Sequence, residues 1–431
     1  MLERLLVAAR PRFGHSGRSL NSTTRLRDSK LRGALTTLLK VTLSRRGLVF
    51  VAALGLGLGL GVSVARTAVA AQSDEAPATP KTDVPLFFHN DVDYGSDSEF
   101  NPVQATLHLS YDILRNASYQ DNPFQLAYAT GFENVAKNLA HPFDAIEKSG
   151  GTGEFIGREV LPIKGLNSAH GQWVPNYTLH ALGEGTVYRK LWSWYASRGV
   201  PAPWLFGLLN TAAAQFINEA AENAGFRGPN TDPVADFWIF NPIGYLLFSI
   251  DPVARFFSTT VRIDFWPHQA TFDLVHLKLL NAGGNYSFKF PLPRTDLKLF
   301  YYTGTDGLFG LTIPTRRGDS FSVAAGTHLY TIRPVYTEQG GRIILPDDLE
   351  FSVAAFWDRN ESLMTSVQLI GPKHPTALAN VYPGLLHVAD FRFGLYGCAG
   401  YYDGVALGLS ISWLPLGPGV AGWTRTNQEL L

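Results

Sequence analysis

The stretch DSFSVAAGTHLYTI, residues 319–332, alternates between two kinds of side chain along its whole length. Such alternation is typical of a β-strand, in which successive side chains point to opposite faces of the sheet. The first face carries mostly apolar residues: Phe321, Val323, Ala325, Thr327 and Leu329. The second carries mostly small or polar ones: Ser322, Ala324, Gly326, His328 and Tyr330. A narrow barrel lumen needs small and polar residues on one face, whereas a sandwich core does not. The question is whether the apolar face touches a protein core or lipid.

The same alternation recurs after Ser258, where turn-forming stretches such as NAGGN, TGTDG and EQGGR separate the segments. We predict ten strands in this part of the chain: 259–266, 271–280, 285–291, 296–302, 307–313, 319–332, 349–358, 362–370, 385–397 and 403–413. Because short loops join them, they are expected to form an antiparallel meander. VQATLHLSYDIL, residues 103–114, alternates in the same way and predicts an opening strand.

Strand length and aromatic placement favour a membrane barrel. Several predicted strands are long enough to cross a bilayer when tilted, which takes roughly 9–11 residues. Aromatic residues cluster near strand ends, as in interfacial girdles: Phe265–Trp266, Phe300–Tyr302, Phe356–Trp357, Tyr401–Tyr402 and Trp413. The predicted fold is therefore mainly β with a helical insert: an antiparallel up-and-down β-barrel of about 8–12 strands plus an α-helical hairpin. A soluble barrel or sandwich shows the same alternation and is the alternative fold.

The helical insert is predicted from a change of period. Apolar and small residues recur at spacings of three and four over 176–198, which predicts a first helix. A second helix is predicted over 203–225, where a stripe of small residues would let another backbone approach closely. A short turn joins the two into an antiparallel hairpin, and a short apolar helix near Pro242 completes an insert over 176–250.

The N-terminal segment resembles a bacterial export signal. Arg45 and Arg46 precede an uncharged run from Gly47 to Ala65, and the small residues after it offer a signal-peptidase site. SRRGLV is similar to the twin-arginine type, so we expect residues 1–70 to be removed. A single membrane anchor is the alternative, since such a run can just span a bilayer.

The remaining chain is expected to form one domain. Residues 71–84 are polar and contain two prolines, which predicts a disordered linker. We expect residues 85–420 to form a single β-barrel domain with its helical insert, and residues 421–431 to form a C-terminal tail. Cys398, the single cysteine, lies among small residues in YGCAGY and is expected to pack in the interior.

The charge distribution argues against a nucleic-acid partner. The first 70 residues hold 12 of the 36 basic residues and 2 of the 36 acidic ones, so 24 basic and 34 acidic residues remain after their removal. A chain of that sign does not offer the basic stripes that bind phosphates. The expected partners are outer-membrane lipid and a small apolar ligand.

Residues 176–248 carry a set of short motifs: His180 with Gly183, Tyr188, Ser197–Gly199, the acidic pair Glu219 and Glu222, Asp236, and Asn241–Gly244. In these motifs the segment resembles an uncharacterised family of bacterial envelope proteins, domain of unknown function 3943. The resemblance covers about 70 residues. It implies an envelope location, a helical hairpin beside a β-barrel and no established activity.

The strongest polar constellation lies on the predicted hairpin. His180 and Glu184 are four residues apart on the first helix, and Glu219 and Glu222 are three apart on the second. In an antiparallel pair the start of one helix lies beside the end of the other, so His180 can meet Glu219 or Glu222. Asp236, from the resembling segment, completes the predicted polar site.

Two interpretations of this constellation stay open: a metal or acid–base site, and a buried hydrogen-bond network that fixes the hairpin. One histidine with two carboxylates is a sparse ligand set, and no His-Glu-x-x-His spacing is present. The glycine-rich stretch at 150–157 lacks the Lys-Ser or Lys-Thr of a phosphate-binding loop. We therefore expect the network, with no metal and no cofactor.

The expected function is that of a non-enzymatic protein of the bacterial outer membrane, structural or involved in binding or passage of a small apolar ligand. One alternative is an outer-membrane lipid-modifying enzyme that uses His180 with Glu222 or a Ser–His pair of the strands. The other is a periplasmic β-barrel or sandwich binding protein, which would have charged residues on one strand face and a closed apolar interior.

Overall fold

The computed structural model describes residues 85–115, 122–163, 171–315, 318–371, 377–388, 391–401, 404–414 and 416–422. The predicted export signal, 1–70, and the predicted linker, 71–84, lie outside these residues. The described chain has a helical body, residues 102–261, and then a large sheet, residues 264–422. The prediction of a mainly β fold with helices is confirmed at this level. The helical part is larger than the predicted insert 176–250, because it already begins at Pro102.

The stretch 103–114, predicted as a strand, is a helix. Helix α1 spans Pro102–Tyr111, and a 3-10 turn over Asp112–Arg115 follows it. The side chain of Asn101 caps the helix by accepting hydrogen bonds from the first free backbone N–H groups. Pro102 fits the first turn, where its missing N–H leaves no bond unmade.

The alternating pattern of α1 was misleading because the helix is buried on nearly all sides. Its polar residues are as deeply buried as its apolar ones. They bond within the helical body: Thr106 Oγ1 donates to the Pro102 carbonyl at 2.8 Å, and Ser110 Oγ donates to the Ala214 carbonyl at 3.1 Å. A helix without a solvent face need not show the 3.6-residue period of an amphipathic one.

The described part of the helical body contains ten α-helices: α1 Pro102–Tyr111, α2 Tyr128–Ala140, α3 Pro142–Lys148, α4 Gly151–Phe155, α5 Trp173–Pro175, α6 Gly185–Ser197, α7 Pro203–Glu222, α8 Asp232–Ala235, α9 Asn241–Ser249 and α10 Asp251–Arg255. Four π-helical segments continue them: π1 Ile156–Val160, π2 Asn176–Glu184, π3 Asp236–Phe240 and π4 Phe256–Val261. Among the described residues no single helix has both the length and the apolar composition to cross a membrane; one bent pair, Asp232–Ser249 with Asp251–Val261 at 91°, meets that test together.

Helix α7 lies at the centre of the helical body, against α1, α2 and α6. The predicted hairpin is confirmed, with its first helix beginning in π form as π2 and its second helix as α7. The backbones approach closely at Gly131 of α2, where a Cβ would lie 2.0 Å from the carbonyl oxygen of Ala220. Gly207 of α7 likewise faces the carbonyl of Tyr188 on α6, at 3.0 Å from an added Cβ.

One sheet contains all thirteen described strands: β1 Asp264–Phe265, β2 Thr271–Asp273, β3 Lys278–Leu280, β4 Tyr286–Pro291, β5 Lys298–Thr303, β6 Asp306–Pro314, β7 Asp319–Tyr336, β8 Arg342–Arg359, β9 Ser362–Ile370, β10 Ala377–Val388, β11 Phe391–Tyr401, β12 Gly404–Ile411 and β13 Gly417–Gly422. Strands β4 to β13 follow one another as the predicted antiparallel meander, and β13 then pairs in parallel with β2. The hydrogen-bonded order begins at β1 and ends at β3, so the sheet is not closed into the predicted barrel.

The thirteen described strands exceed the predicted 8–12, and the predicted strand 385–397 covers the end of β10 and the start of β11. Three further local predictions need correction. The first three residues of the predicted strand 259–266 belong to π4, and only β1 is a strand. The predicted strand 271–280 is a small hairpin of β2 and β3, because the side chain of Asp273 accepts hydrogen bonds from the next turn's N–H groups. Residues 421 and 422 belong to β13, not to a tail, and the rest of the predicted tail lies outside the described residues.

The two faces of the sheet are reversed relative to a soluble protein. Val323 and Phe351 are 62% and 66% exposed, whereas the adjacent Ser322 and Ser352 are 0% exposed. Exposed apolar residues continue along the meander: Leu299, Phe309, Leu311, Ile313, Phe321, Leu349, Val367, Leu369, Leu395, Val405, Leu407, Leu409 and Val420. We call this side the outer face and the opposite side the inner face.

Many polar side chains of the inner face are paired with one another. The hydroxyls of Thr312 and Ser322 lie 2.7 Å apart, and Asn380 Nδ2 donates to Ser366 Oγ at 3.0 Å. The segment 266–285 also lies against this face, since Gln269 Nε2 donates to Ser410 Oγ at 2.7 Å. The inner face is therefore filled by the chain's own side chains.

Several aromatic residues predicted as interfacial girdles lie inside instead. Trp266, Phe300, Tyr302 and Phe356 are buried and pack together in one cluster. The prediction was wrong for Phe300, Tyr302 and Phe356 because they occupy inward positions of the alternation, and for Trp266 because it lies between β1 and β2 against the inner face, whereas Trp413 is exposed. Cys398 is buried in a second apolar cluster of the inner face, as predicted.

The hairpin of β7 and β8 is longer than its neighbours and reaches the helical body. Arg342 donates through NH2 to the carbonyl of Glu222 at the end of α7, at 3.1 Å. Gln172 Nε2 donates to the Ile344 carbonyl at 2.7 Å, and Thr337 Oγ1 donates to the Lys148 carbonyl at 3.0 Å. This end of the hairpin closes one side of a cavity in the helical body.

Candidate functional site

The polar residues predicted from the sequence converge in the helical body. His180 and Glu184 lie on π2, and His180 Nδ1 is 3.0 Å from Glu184 Oε1. His180 Nε2 is 3.5 Å from Asp236 Oδ2 on π3. Both ring nitrogens of His180 thus face carboxylates, which favours the protonated ring.

Gln215 of α7 links this pair to the second predicted helix. Its Nε2 lies 3.3 Å from Glu219 Oε1 and 3.4 Å from both Asp236 Oδ2 and His180 Nδ1. The sequence did not single out Gln215. The available signal was its position four residues before Glu219, on the same side of one helix.

Three carboxylates meet beside this network. Glu219 and Glu222 of α7 approach Asp232, the first residue of α8, and one oxygen from each lies within 4.8 Å of the other two. Glu219 and Glu222 were predicted, whereas Asp232 was missed. The sequence did offer a signal: Asp232 precedes Asp236 by four residues at the start of a helix. This spacing puts both carboxyl groups on one side of the helix.

Additional hydrogen bonds from neighbouring side chains hold these groups in place. The hydroxyl of Tyr245 donates to Glu184 Oε2 at 3.3 Å, and Asn223 Nδ2 donates to the Glu219 carbonyl at 2.8 Å. Asn218 Nδ2 donates to Asp112 Oδ1 at 2.7 Å. Asp112 was missed because residues 103–114 were predicted as a strand.

The cluster forms the polar side of a cavity of about 210 Å³. Its other side is apolar and comes from the β7–β8 hairpin, with Leu329, Ile332, Ile344 and Pro346. A cavity with an apolar wall and a few convergent polar groups is the usual form of a small-ligand site.

Burial sets the protonation of the carboxyl groups. It raises the pKa of Asp232 to about 7 and that of Asp112 to about 6. Burial, and next the neighbouring carboxylates, raise the pKa values of Glu219 and Asp236 well above their usual range. Burial also raises the pKa of Glu222, although the charge of Arg342 opposes this.

The pKa of His180 shifts in the opposite direction to that of an ordinary buried histidine. Burial alone lowers its pKa, but the hydrogen bond and charge of Glu184, with the charges of Glu219 and Asp232, raise the pKa to about 9. This raised pKa favours the cationic form of His180 at neutral pH. One imidazolium does not balance the carboxyl groups around it, so the cluster must retain protons or take up a cation.

Comparison of the chain with protein-family models, with curated proteins and with solved structures gives no match. The resemblance of residues 176–248 to the envelope family therefore stays a prediction. The functional interpretation depends on the geometry of the sheet and of this cavity.

Proposed function

We propose that this chain is an outer-membrane protein whose sheet forms a barrel-like wall against lipid and whose helical body binds a small ligand at one side of that wall. The observation that carries the proposal is the reversed sheet, with large apolar side chains exposed and polar ones buried. Lipid-facing strands of membrane barrels have this arrangement.

Exposure of the outer face to water would be costly. Each Å² of apolar surface left in water forgoes about 25 cal/mol. Monomeric soluble proteins rarely expose contiguous apolar patches above a few hundred Å². The exposed residues here run from β5 to β13, far beyond one isolated patch. A periplasmic binding protein would be expected to show the opposite pattern.

Strand length supports the same proposal. Strands β7 and β8 have 18 residues each, β10 has 12 and β11 has 11. A tilted strand crosses the hydrocarbon layer with about 9–11 residues. The surplus in β7 and β8 is the part that reaches the helical body.

The strands at the two ends of the sheet lie close together in the sequence. This supports a sheet that curves so that its two ends approach each other. Only residues 281–285 separate β3, at one end of the strand order, from β4, next to the other end. The Trp266 N–H donates to the Asn285 carbonyl at 2.8 Å, and the His268 N–H donates to the Gly283 carbonyl at 3.1 Å.

The filled inner face favours binding over passage. Trp266, Phe300 and Phe356 occupy it together with paired polar groups. In the described chain, His180 makes its close polar contacts with Glu184, Asp236 and Gln215 instead of Glu222. On the strands, His328 Nδ1 lies 2.7 Å from Asp306 Oδ1. We therefore favour a non-enzymatic role over lipid modification.

Cell fractionation tests this proposal. The full chain is expressed in a Gram-negative host, the outer membrane is washed with carbonate or urea, and the washed protein is run on SDS gels with and without boiling. Retention in the outer membrane with a faster unboiled band is the expected result. Release into the periplasmic fraction without a mobility shift would overturn the proposal.

A further inference from the structure

The three carboxylates of Glu219, Glu222 and Asp232 have the spacing of a cation site. One oxygen from each lies within 4.8 Å of the other two. Calcium binds oxygen at roughly 2.3–2.6 Å, so oxygens on opposite sides of one ion are about 5 Å apart. A single ion can therefore touch all three side chains without a change of backbone.

A fourth carboxyl group provides an independent sign of an unfilled interaction. Asp236 is 1% exposed, and its Oδ1 has no hydrogen-bond partner among the described residues. The same side chain contacts the carboxyl of Glu219. Two buried carboxyl groups in contact need a proton or a cation nearby, because an unpaired buried acceptor is costly.

The local charge balance also favours a cation. The carboxyl groups that interact in this cluster are Asp112, Glu184, Glu219, Glu222, Asp232 and Asp236. The opposing positive charges are His180 and Arg342, since Arg158 is held at 2.8 Å by its own partner, Glu159. A bound divalent ion would take the place of protons that these buried carboxyl groups otherwise retain.

We propose that Glu219, Glu222 and Asp232 bind one divalent cation of the size of Ca²⁺, with Asp236 beside it. An oxygen-only site follows from the position of His180, whose two ring nitrogens already face Glu184 and Asp236. Carboxylate oxygens select hard cations such as Ca²⁺ over the softer ions that prefer nitrogen or sulfur. The ion would join α7 to α8 directly beneath the β7–β8 hairpin.

Calorimetry and thermal unfolding of the full chain test the proposal. The protein is purified in detergent, stripped with EDTA and titrated with CaCl₂ or MgCl₂ alone. We expect one Ca²⁺ per chain, weaker Mg²⁺ binding, and a rise in Tm of about 3–5 °C at calcium 100 times Kd. Absence of both calcium binding and a Tm shift in the wild-type chain would overturn the proposal and would indicate shared protons instead.

Isosteric variants locate the ion. Glu222→Gln and Asp232→Asn each remove one ligand charge, and we expect each to weaken calcium binding at least about tenfold. Glu99→Gln is the matched control, because Glu99 is also buried but lies near Ser410 and Gln269 of the inner face. Unchanged calcium affinity in both ligand variants would place the ion elsewhere and overturn the proposal.

The wild-type titration decides the matter even if one variant fails to fold, as judged by circular dichroism. The outcome is also separable from the proposed membrane location. Fractionation tests the sheet without added calcium, whereas calcium binding depends only on residues of the helical body.

Discussion

The sheet and the helical body both bury polar and charged side chains, but they balance the charges differently. On the inner face of the sheet, hydroxyls pair with each other, as Thr312 does with Ser322, and buried charges are matched, as Asp358 is by Lys289 at 2.8 Å. In the helical body, carboxyl groups are in excess of their positive partners and are gathered around His180.

This difference separates packing from function. Paired hydroxyls, and carboxylates matched by a cation of the protein, leave little for a ligand to add. Excess carboxyl groups are satisfied only by protons or by a cation, so they make the helical body sensitive to solution conditions. We therefore expect the sheet to determine where the protein resides and the helical body to determine what it binds.

The largest loss of unfolding free energy is expected from a substitution at the contact between the helical body and the sheet. Lys190 of α6 donates to Asp97 at 2.5 Å and to Asp264 of β1 at 2.6 Å, and all three are buried. Lys190→Met leaves two carboxylates without their cation and should lower the free energy of unfolding by about 3–5 kcal/mol. Urea unfolding measures this loss.

The exposed ion pair of Arg227 with Glu133 is the matched control for the buried ion pairs of Lys190. Arg227→Met should lower the free energy of unfolding by less than about 1 kcal/mol. Equal losses of unfolding free energy in the two variants would contradict a stabilising role for the buried ion pairs of Lys190.

The next effect tests the outer face. Phe351→Arg places a charge where we expect lipid, and should cost about 2–4 kcal/mol of unfolding free energy in phospholipid vesicles if the position lies near the bilayer centre. Phe143→Arg is the control, because Phe143 lies on α3 and is 84% exposed. It should stay within about 0.5 kcal/mol of the wild type, as is usual for surface changes. Similar small changes for both substitutions would indicate that Phe351 faces water.

The third prediction concerns the free energy of unfolding, which we expect to depend on pH because of the buried carboxyl groups in the helical body. A carboxyl whose pKa is raised on folding stabilises the fold at low pH, and that stability is lost as pH rises from about 4 through the folded value. For Asp232 the folded value is about 7. The raised pKa of His180, about 9, acts in the same direction: its contribution is present below about 6.5 and is lost as pH rises through 9.

We therefore expect the EDTA-treated protein to lose about 1–3 kcal/mol of unfolding free energy between about pH 5 and 8. Asp236→Asn removes one titrating carboxyl group from the cluster and should flatten this dependence. A steeper loss in the variant, or a gain of stability with rising pH in the wild type, would contradict the charge balance described for the cluster.

The smallest effect is expected on the inner face. Thr312→Val leaves the hydroxyl of Ser322 without the partner it has at 2.7 Å and should cost about 1–2 kcal/mol. The double change Thr312→Val with Ser322→Ala should recover part of that loss, because both polar groups are then gone. A marked pH dependence of either loss would show that this hydroxyl pair is coupled to a titrating group.

Strands with a solvent or lipid face could be predicted from the sequence. Predicted strand 362–370 matches β9, and predicted strands 307–313 and 319–332 fall within β6 and β7. Their two faces have different environments, so composition alternates with the pleat. The second helix of the hairpin was likewise predicted to within a few residues of α7.

Elements buried on both sides could not be predicted in this way. Helix α1 alternates by chance because its polar residues bond inside the body, and only the cap at Asn101 with Pro102 indicated a helix. Short β1 and β2 depend on pairing with β4 and β13, which no local pattern encodes. Of the candidate site, the hairpin residues were predicted, whereas Asp112 and Asp232 join it only through the tertiary packing of α1 and α8.

The most direct test of the outer face compares two adjacent residues. Nitroxide labels are placed at Phe351→Cys and Ser352→Cys in a Cys398→Ala background, and their collision with oxygen and with a water-soluble nickel complex is measured in reconstituted bilayers. We expect the label at 351 to meet oxygen readily and the nickel complex rarely, as a lipid-facing site does, and the label at 352 to meet both rarely, as a packed site does. A label at 351 that collides freely with the nickel complex would show that the outer face lies in water.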